Sequence, residues 1–320
     1  MRVSDIGGEF ALIKRLIKKQ EICDSSVIIG AGDDCAVVDI GTDHYQLISS
    51  DMLVENDHFN TEWFTPGQIG KKLVECNVSD IVSMGGSPRY GVISMSLRRD
   101  TDIVFIDELY DGIYAASKKY GLSLIGGDTT HGKELVLNMA IIGQVEKGIM
   151  RTRSMASMGD MICVTGKLGG SAAGLMMLKN DIGGSKDHYL NPVSRTVAEG
   201  KAIARHSNTM IDVSDGLGSE VSHICECSHV GAKINKGAIP LRKAAIDVAK
   251  ALSTSAYDYA LYGGEDYELV FTIQRENIEK LRKEFDDFSV VGRILDASEG
   301  RYVMDMGKKT PIRSGYNHFL

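Results

Sequence analysis

Aspartate recurs in this chain at one kind of place, the edge of an apolar run beside Gly or Ser. Asp33 and Asp34 follow "VIIGAG", Asp51 closes "YQLISSD", Asp80 sits in "ECNVSD", Asp128 in "SLIGGDTT", and Asp212 and Asp215 in "MIDVSDG". Any one of them suits a turn or a helix N-cap, where Asp and Ser are favoured. Asp215, for instance, could cap a helix beginning near Gly216. Their recurrence implies something else. Strand ends in layered α/β structures lie along one edge, where ligands also bind, and carboxylates converging there repel strongly unless cations are present. Oxygen ligands with no His or Cys nearby favour Mg²⁺ over Zn²⁺. Mg²⁺ beside Gly-rich turns points to a polyphosphate ligand, because glycine lets backbone N–H groups approach phosphate oxygens.

Familiar nucleotide motifs are absent. No G-x-x-x-x-G-K-[ST] loop and no protein-kinase H-R-D or D-F-G set occurs, and "TGKLGG" has a Gly-Lys without the spacing. "DVSDG" resembles the start of a calcium loop, but the twelfth position from Asp212 is His223 rather than Glu. A net charge of −7 argues against a nucleic-acid backbone as main partner. No apolar run approaches the ~20 residues of a membrane helix, and "MRVSDIGGEFALIKRL" lacks the apolar centre of a secretory signal. The cysteines at 23, 35, 76, 163, 225 and 227 show no metal-finger spacing and read as reduced thiols of a cytoplasmic protein.

The elements that must position these acids follow from periodicity. Phe10, Leu12, Ile13, Leu16 and Ile17 recur at helical spacing, as do Leu73, Val74, Val78, Ile81 and Val82 within 68–85. "AVVDI", "YQLISSDM", "YGVISMSL", "LSLIGG" and "ELVLNMAIIGQV" read as strands, and 102–121 as a helix closed by Gly121. A new section begins near residue 150: strand, Gly-rich turn and helix, then a helix at 192–206 and a strand running through "DVSDG" into another helix. "YGGEDYELVFTI", a charged helix near 276–286 and a strand pair follow. The length of 320 residues suits two domains. The expectation is a mixed α/β (α+β) chain of two domains, 1–149 and 150–320.

The ordered set "GAGDDCAVV", "SSDMLVENDHF", "NVSDIVSMGGSPRY", "GGDTT", "RSMASMGDMICVTGKLGGSAAGL", "IDVSDGL", "GGEDYELVFT" and "GYNHF" spans nearly the whole chain. Together these resemble the thiamine-monophosphate kinase family, in the superfamily that includes aminoimidazole ribonucleotide synthetase and selenophosphate synthetase. The resemblance implies an N-terminal ATP/Mg-binding α/β domain whose sheet pairs across a homodimer, and a C-terminal α/β domain beside it. It implies ATP-dependent conversion of thiamine monophosphate to thiamine diphosphate. Carried over by motif, Asp33, Ser49, Ser50, Asp51, Asp80, Asp128, Asp212 and Asp215 would hold several Mg²⁺ ions. Tyr110, Gly127, Asp128, Arg153 and Ser214 would meet ATP, while His58, Glu265 and Tyr316 would face the thiamine side. A monovalent cation requirement stays open. The chain departs from the family at Asn56-Asp57, where Gly-Val is common, at His131, where Arg is common, and at Tyr316, often Trp.

The implied acceptor is a phosphate monoester already anionic at neutral pH, so no dedicated general base or covalent nucleophile is expected. The obstacle is the approach of two polyanions, which cations can relieve. Rival readings are another ATP-using enzyme of the superfamily, a non-catalytic Mg-nucleotide sensor, or a metal-dependent phosphatase; the synthetase pattern "DGVGTK" is absent. Direct transfer predicts that rapid acid quenching during turnover traps no phosphate on the protein. Protein-bound label formed at the turnover rate would instead make an aspartate the nucleophile.

Overall fold

The computed structural model describes residues 2–313 and 315, without the side chain of Phe10. The helix α1 (Glu9–Ile17) precedes a six-stranded sheet of β1 (Val27–Ile29), β2 (Ala36–Asp39), β3 (His44–Val54), β4 (Ser87–Leu97), β5 (Ser123–His131) and β6 (Val136–Glu146). Its order is β1-β2-β3-β6-β4-β5, antiparallel except for the parallel β4–β5 pair. Two long helices, α2 (Pro66–Ser83) and α3 (Ile103–Tyr120), accompany it. The second sheet takes β7 (Met161–Thr165), β8 (Thr209–Asp212), β9 (Gly231–Asn235), β10 (Leu269–Ile273), β11 (Phe288–Leu295), β12 (Arg301–Asp305) and β13 (Lys308–Pro311), ordered β13-β12-β9-β11-β7-β10-β8. Its helices are α4 (Gly170–Lys179), α5 (Asp187–Leu190), α6 (Val197–Ala204), α7 (Leu217–Ser228), α8 (Lys243–Leu252), α9 (Ala256–Tyr262) and α10 (Ile278–Arg282). The chain is thus mixed α/β with two sheets, as expected.

The helix α2 joins the two halves. It starts on a capping box: the Thr65 hydroxyl accepts from Gln68 N–H at 3.3 Å, Gln68 Oε1 accepts from Thr65 N–H at 2.9 Å, and Pro66 opens the first turn. It lies on β3 and β6 of the first sheet and touches β8 and α6 of the second. Burial runs along its whole length, and with it are buried Lys72, Glu75, Asn77, Ser79 and Ser83. One apolar core continues from Leu47, Ile81 and Ile141 into Cys163, Met210 and Phe271 of the second sheet. Buried polar groups must find partners, and Glu75 does: it accepts from Ser194 N–H at 2.8 Å and from Lys119 Nζ at 3.2 Å.

Several boundaries differ from the sequence reading. The helix expected at 192–206 begins only at Val197, where Thr196 and Glu199 form a second capping box. Residues 192–196 before it form no helix or strand, and Ser194 N–H is committed to Glu75 rather than to a helix. The charged helix near 276–286 shortens to α10 after a 3₁₀ turn. Strand β5 continues past Gly127 to His131, and β3 past Asp51 to Val54. Asp128 and Asp51 therefore lie inside strands, and Asp80 inside α2, so of the acids only Asp212 closes a strand. Among the described residues no helix is long and apolar enough to cross a membrane.

The α2–α3 contact is closer than side chains allow. A Cβ on Gly70 would stand 2.1 Å from the Leu109 carbonyl oxygen, and one on Gly112 would stand 2.1 Å from that of Gly67. Gly70→Ala should lower unfolding free energy by roughly 1–3 kcal/mol through forced separation of the helices, measured as the urea midpoint. An unchanged midpoint would show the crossing to be looser than this.

Candidate active site

A cavity of about 540 Å³ opens between the halves of the chain. Strand alternation decides what β3 contributes to it. Ser49, Asp51 and Leu53 point to the covered face and line the cavity, while Ser50 lies on the opposite, exposed register; Met52 is exposed on that register too, yet also lines the cavity. The next contribution comes from α2, where Cys76 and Asp80 line the same space one turn apart, with Lys72 a turn further. The two elements are stitched together. Ser49 Oγ donates to Asp80 Oδ2 at 2.5 Å, Asp51 N–H donates to Asn77 Oδ1 at 3.1 Å, and Lys72 Nζ donates to the His58 carbonyl at 2.6 Å. The Ser49–Asp80 end and the His58–Lys72 end are separated by eight residues of α2, about 12 Å.

The first end is acidic. Asp33 and Asp34 come from the loop between β1 and β2, Asp212 from the end of β8, and Asp215 and Ser214 from the turn before α7. The adjacent Asp33-Asp34 pair divides its labour. The buried Asp34 carboxylate accepts from Arg153 Nε at 2.9 Å and Nη2 at 2.5 Å and bonds Ser83, while Asp33 Oδ2 accepts from Arg153 N–H at 3.0 Å. Burial, then repulsion by Asp34, pushes Asp33 up to about 7. Burial and then Asp34 push Asp212 up to about 8, against the pull of Ser79 Oγ, which donates to it at 2.7 Å. Asp80 lies well above the carboxylate range through burial and the charges of Asp51, Asp212 and Asp34. Asp51 is raised by burial and Asp34. Asp215 does not cap α7; Gly216 is the N-cap, and Asp215 N–H donates to Glu220 Oε1 at 2.8 Å.

The second end is mixed. His58 Nδ1 accepts from Val54 N–H at 3.1 Å across a turn in which Asn56 adopts φ +67°. Asn tolerates that left-handed conformation, so it can stand where glycine is usual; its neighbour Asp57 adds a carboxylate to the lining. Glu265 enters from the segment before β10 at φ +62°. Tyr189, Leu175 and Met176 supply apolar surface.

Other expected residues lie elsewhere. Asp51 aligns across the sheet with Met139, Ile93 and Gly127, whereas Asp128 aligns with Ser94 and Asn138 on the exposed face. Three strand spacings, about 14 Å, and the sheet itself separate Asp51 from Asp128 within one chain. Gly127 is required by packing, since a Cβ there would meet the Ile93 carbonyl at 1.9 Å. Tyr110 packs on α3 near Tyr114, with rings 5.7 Å apart. His131 accepts from Arg99 Nη2 at 2.8 Å, so a guanidinium still stands beside that position. Ser50 accepts from Asn138 Nδ2 at 2.9 Å on the exposed face. Tyr316 lies outside the described residues.

The Gly-rich turn before α4 already holds an anion. N–H groups of Gly169, Gly170 and Ser171 donate to the Asp266 carboxylate at 2.5, 2.9 and 3.2 Å. This helix start is therefore neutralised internally, against the expectation that such turns serve phosphate. Among the described residues no three His, Cys, Asp or Glu side chains are closed around one ion position. The acidic end is instead a set of oxygen donors left without enough positive charge.

Residues 32–145 match the family model described as "AIR synthase related protein, N-terminal domain", which gives the class of the first sheet and α2. The whole chain is more particular. The thiamine-monophosphate kinase of Buchnera aphidicola subsp. Acyrthosiphon pisum is 37% identical over 97% of this chain and 98% of that protein, and that of Bacillus subtilis is 32% identical over 97% and 99%. The solved structure "AaThiL complexed with AMPPCP and TMP" matches with a TM-score of 0.87 at 30% identity, covering 100% of this chain and 99% of that one. The E. coli hydrogenase maturation protein HypE, 18% identical at a TM-score of 0.73 over 97% and 99%, shares the fold. This chain belongs to the thiamine-monophosphate kinase family.

The raised carboxylates have a consequence for stability. With Asp212 at about 8 when folded and near 3.8 when unfolded, the folded state keeps a proton that the unfolded state releases. Its contribution is largest below the unfolded value and is lost as pH rises toward the folded one. Metal-free protein should therefore lose thermal stability from pH 5 to 8, and Asp212→Asn should flatten that slope. An identical slope in both proteins would contradict the burial of charge at Asp212.

Proposed function

We propose that this cavity transfers the γ-phosphoryl group of ATP to thiamine monophosphate, giving thiamine diphosphate. The chain is a phosphotransferase acting on thiamine monophosphate with ATP as co-substrate. One observation carries the reading: a single cavity pairs an oxygen-rich end suited to cations and phosphates with a mixed polar and apolar end suited to an organic ring system. The relative whose title names both AMPPCP and TMP supports the assignment of two ligands to one chain of this shape.

On this reading Asp33, Ser49, Asp51, Asp80, Asp212 and Asp215 hold Mg²⁺, with Arg153 and Ser214 toward ATP and His58 and Glu265 toward the acceptor. The donor set fits, because Mg²⁺ is usually bound through one or two carboxylates and completed by water and substrate phosphates rather than caged by protein. The ions would supply the positive charge that lets two phosphate anions approach in line. The acceptor phosphate is already ionised, so the side chains orient it and need not take its proton. Residues 1–149 would supply the acidic strand and α2, and 150–320 the 212–215 and 263–267 segments.

The exposed face of the first sheet carries Ile48, Met52, Tyr90, Val92 and Ile125 beside Ser50 and Asp128. Contiguous apolar surface of this kind marks an interface, and we assign it to a second copy of the chain. In such a homodimer Asp128, Gly127 and Tyr110 would serve nucleotide through the pairing of chains rather than within one. Free thiols and the absence of a membrane helix among the described residues accord with a cytoplasmic enzyme.

The test is ADP formation with ATP and Mg²⁺ on thiamine monophosphate against free thiamine. Only the monophosphate should support turnover, and Asp80→Asn should reduce kcat/KM by more than roughly 100-fold, beyond the usual loss for outer-shell partners of a metal. Equal activity on free thiamine would reject the acceptor, and full activity in Asp80→Asn would reject the cation site.

A further inference from the structure

Lys72 is fully buried within α2, yet its ammonium group sits where the two halves of the mixed end meet. Nζ lies 2.7 Å from Glu265 Oε1 and 2.6 Å from the His58 carbonyl oxygen. The rings of Tyr189 and Phe64 flank it, with centroids at 5.0 and 5.5 Å. An ammonium withdrawn from water is tolerated only with a charge partner and further hydrogen bonds, and aromatic faces add attraction when the cation is desolvated. Its anionic partner here is Glu265, which comes from the other half of the chain.

The segment that carries Glu265 is held independently. Glu265 N–H donates to the Ser214 carbonyl at 2.8 Å and Tyr267 N–H to the Val213 carbonyl at 3.0 Å. Gly264 admits no side chain, since its Cβ would meet Ser214 O at 2.0 Å, and Asp266 is anchored on the start of α4. With the backbone fixed, the direction of the Glu265 carboxylate is decided by Lys72. Oε1 is taken by the ammonium, while Oε2 is 3.4 Å from Ser171 Oγ, a long contact.

We propose that Lys72 is a positioning residue for the acceptor. It fixes the Glu265 carboxylate and the His58 turn relative to each other across the domain seam, so that Glu265 presents one oriented oxygen to the heterocycle. Because the ammonium cancels the formal charge of Glu265, that carboxylate recognises the acceptor through a directed hydrogen bond to a donor on the ring system rather than through net attraction to a cation. The inference rests on the reading that the mixed end takes thiamine monophosphate.

The test measures KM for thiamine monophosphate and for ATP in wild type, Lys72→Met, Glu265→Gln and the double variant. Loss of one charged hydrogen bond predicts an acceptor KM raised at least about tenfold in Lys72→Met, with KM for ATP changed less than about twofold, since the acidic end is untouched. Glu265→Gln should show the same split, and the double variant should be no worse than Glu265→Gln alone, because the two residues act as one unit. If Lys72→Met does not fold, the double variant, which leaves no unpaired buried charge, still decides by the same comparison. An unchanged acceptor KM in Lys72→Met, equal effects on both substrates, or additive losses in the double variant would overturn the proposal. A wild type that fails to phosphorylate thiamine monophosphate would overturn the functional reading instead.

Discussion

Asp33, Asp34, Asp51, Asp80 and Asp212 reach one another from a loop, a strand, a buried helix and a second sheet, and each is held largely out of water. Carboxylates so placed raise one another's pKa unless positive charge arrives. Among the described lining residues only Arg153, spent on Asp34, brings a guanidinium or ammonium charge to offset them. A fold evolved for stability alone would place apolar groups here. The charge imbalance is instead the property that phosphate-bound cations can satisfy.

The helix α2 makes that imbalance possible. It buries Leu73, Val78 and Ile81 in the core, while Cys76 and Asp80 line the cleft and Lys72, one turn before Cys76, is buried behind it against Glu265. One rigid element thereby sets the distance between the acidic end and the end where Glu265 and His58 meet. The close α2–α3 crossing at Gly70 and Gly112 backs this helix from behind. Glu75 ties its middle to Ser194 in the second half, so the seam is bonded there as well as at Lys72–Glu265.

Much of this was legible in the residues, and the gaps have physical reasons. Type and neighbourhood single out Asp33, Asp51, Asp80, Asp212 and Asp215, the family resemblance adds Ser49, and all six line the cavity. Ser50 was grouped with Ser49 and Asp51, but period-two alternation sends it to the other face. Asp128 looked like a turn residue because Gly126-Gly127 precede it; those glycines are strand residues, Gly127 pressed against the Ile93 carbonyl. Lys72 was invisible because a lysine in an amphipathic helix ordinarily marks the solvent side. Its spacing of four from Cys76 and eight from Asp80 was the available signal. The anchoring of α4 by Asp266 is not legible, because a helix start filled by a side chain and one left for phosphate share the same Gly-rich sequence.

The central claim is that these acids form a site for divalent cations. Titrating metal-free protein with Mn²⁺, a stand-in for Mg²⁺, and following free ion by electron paramagnetic resonance tests it directly. Saturable uptake that a non-hydrolysable ATP analogue strengthens, and that Asp51→Asn weakens, is the expected result. Uptake absent in wild type with the analogue present, or identical in the variant, would contradict the account.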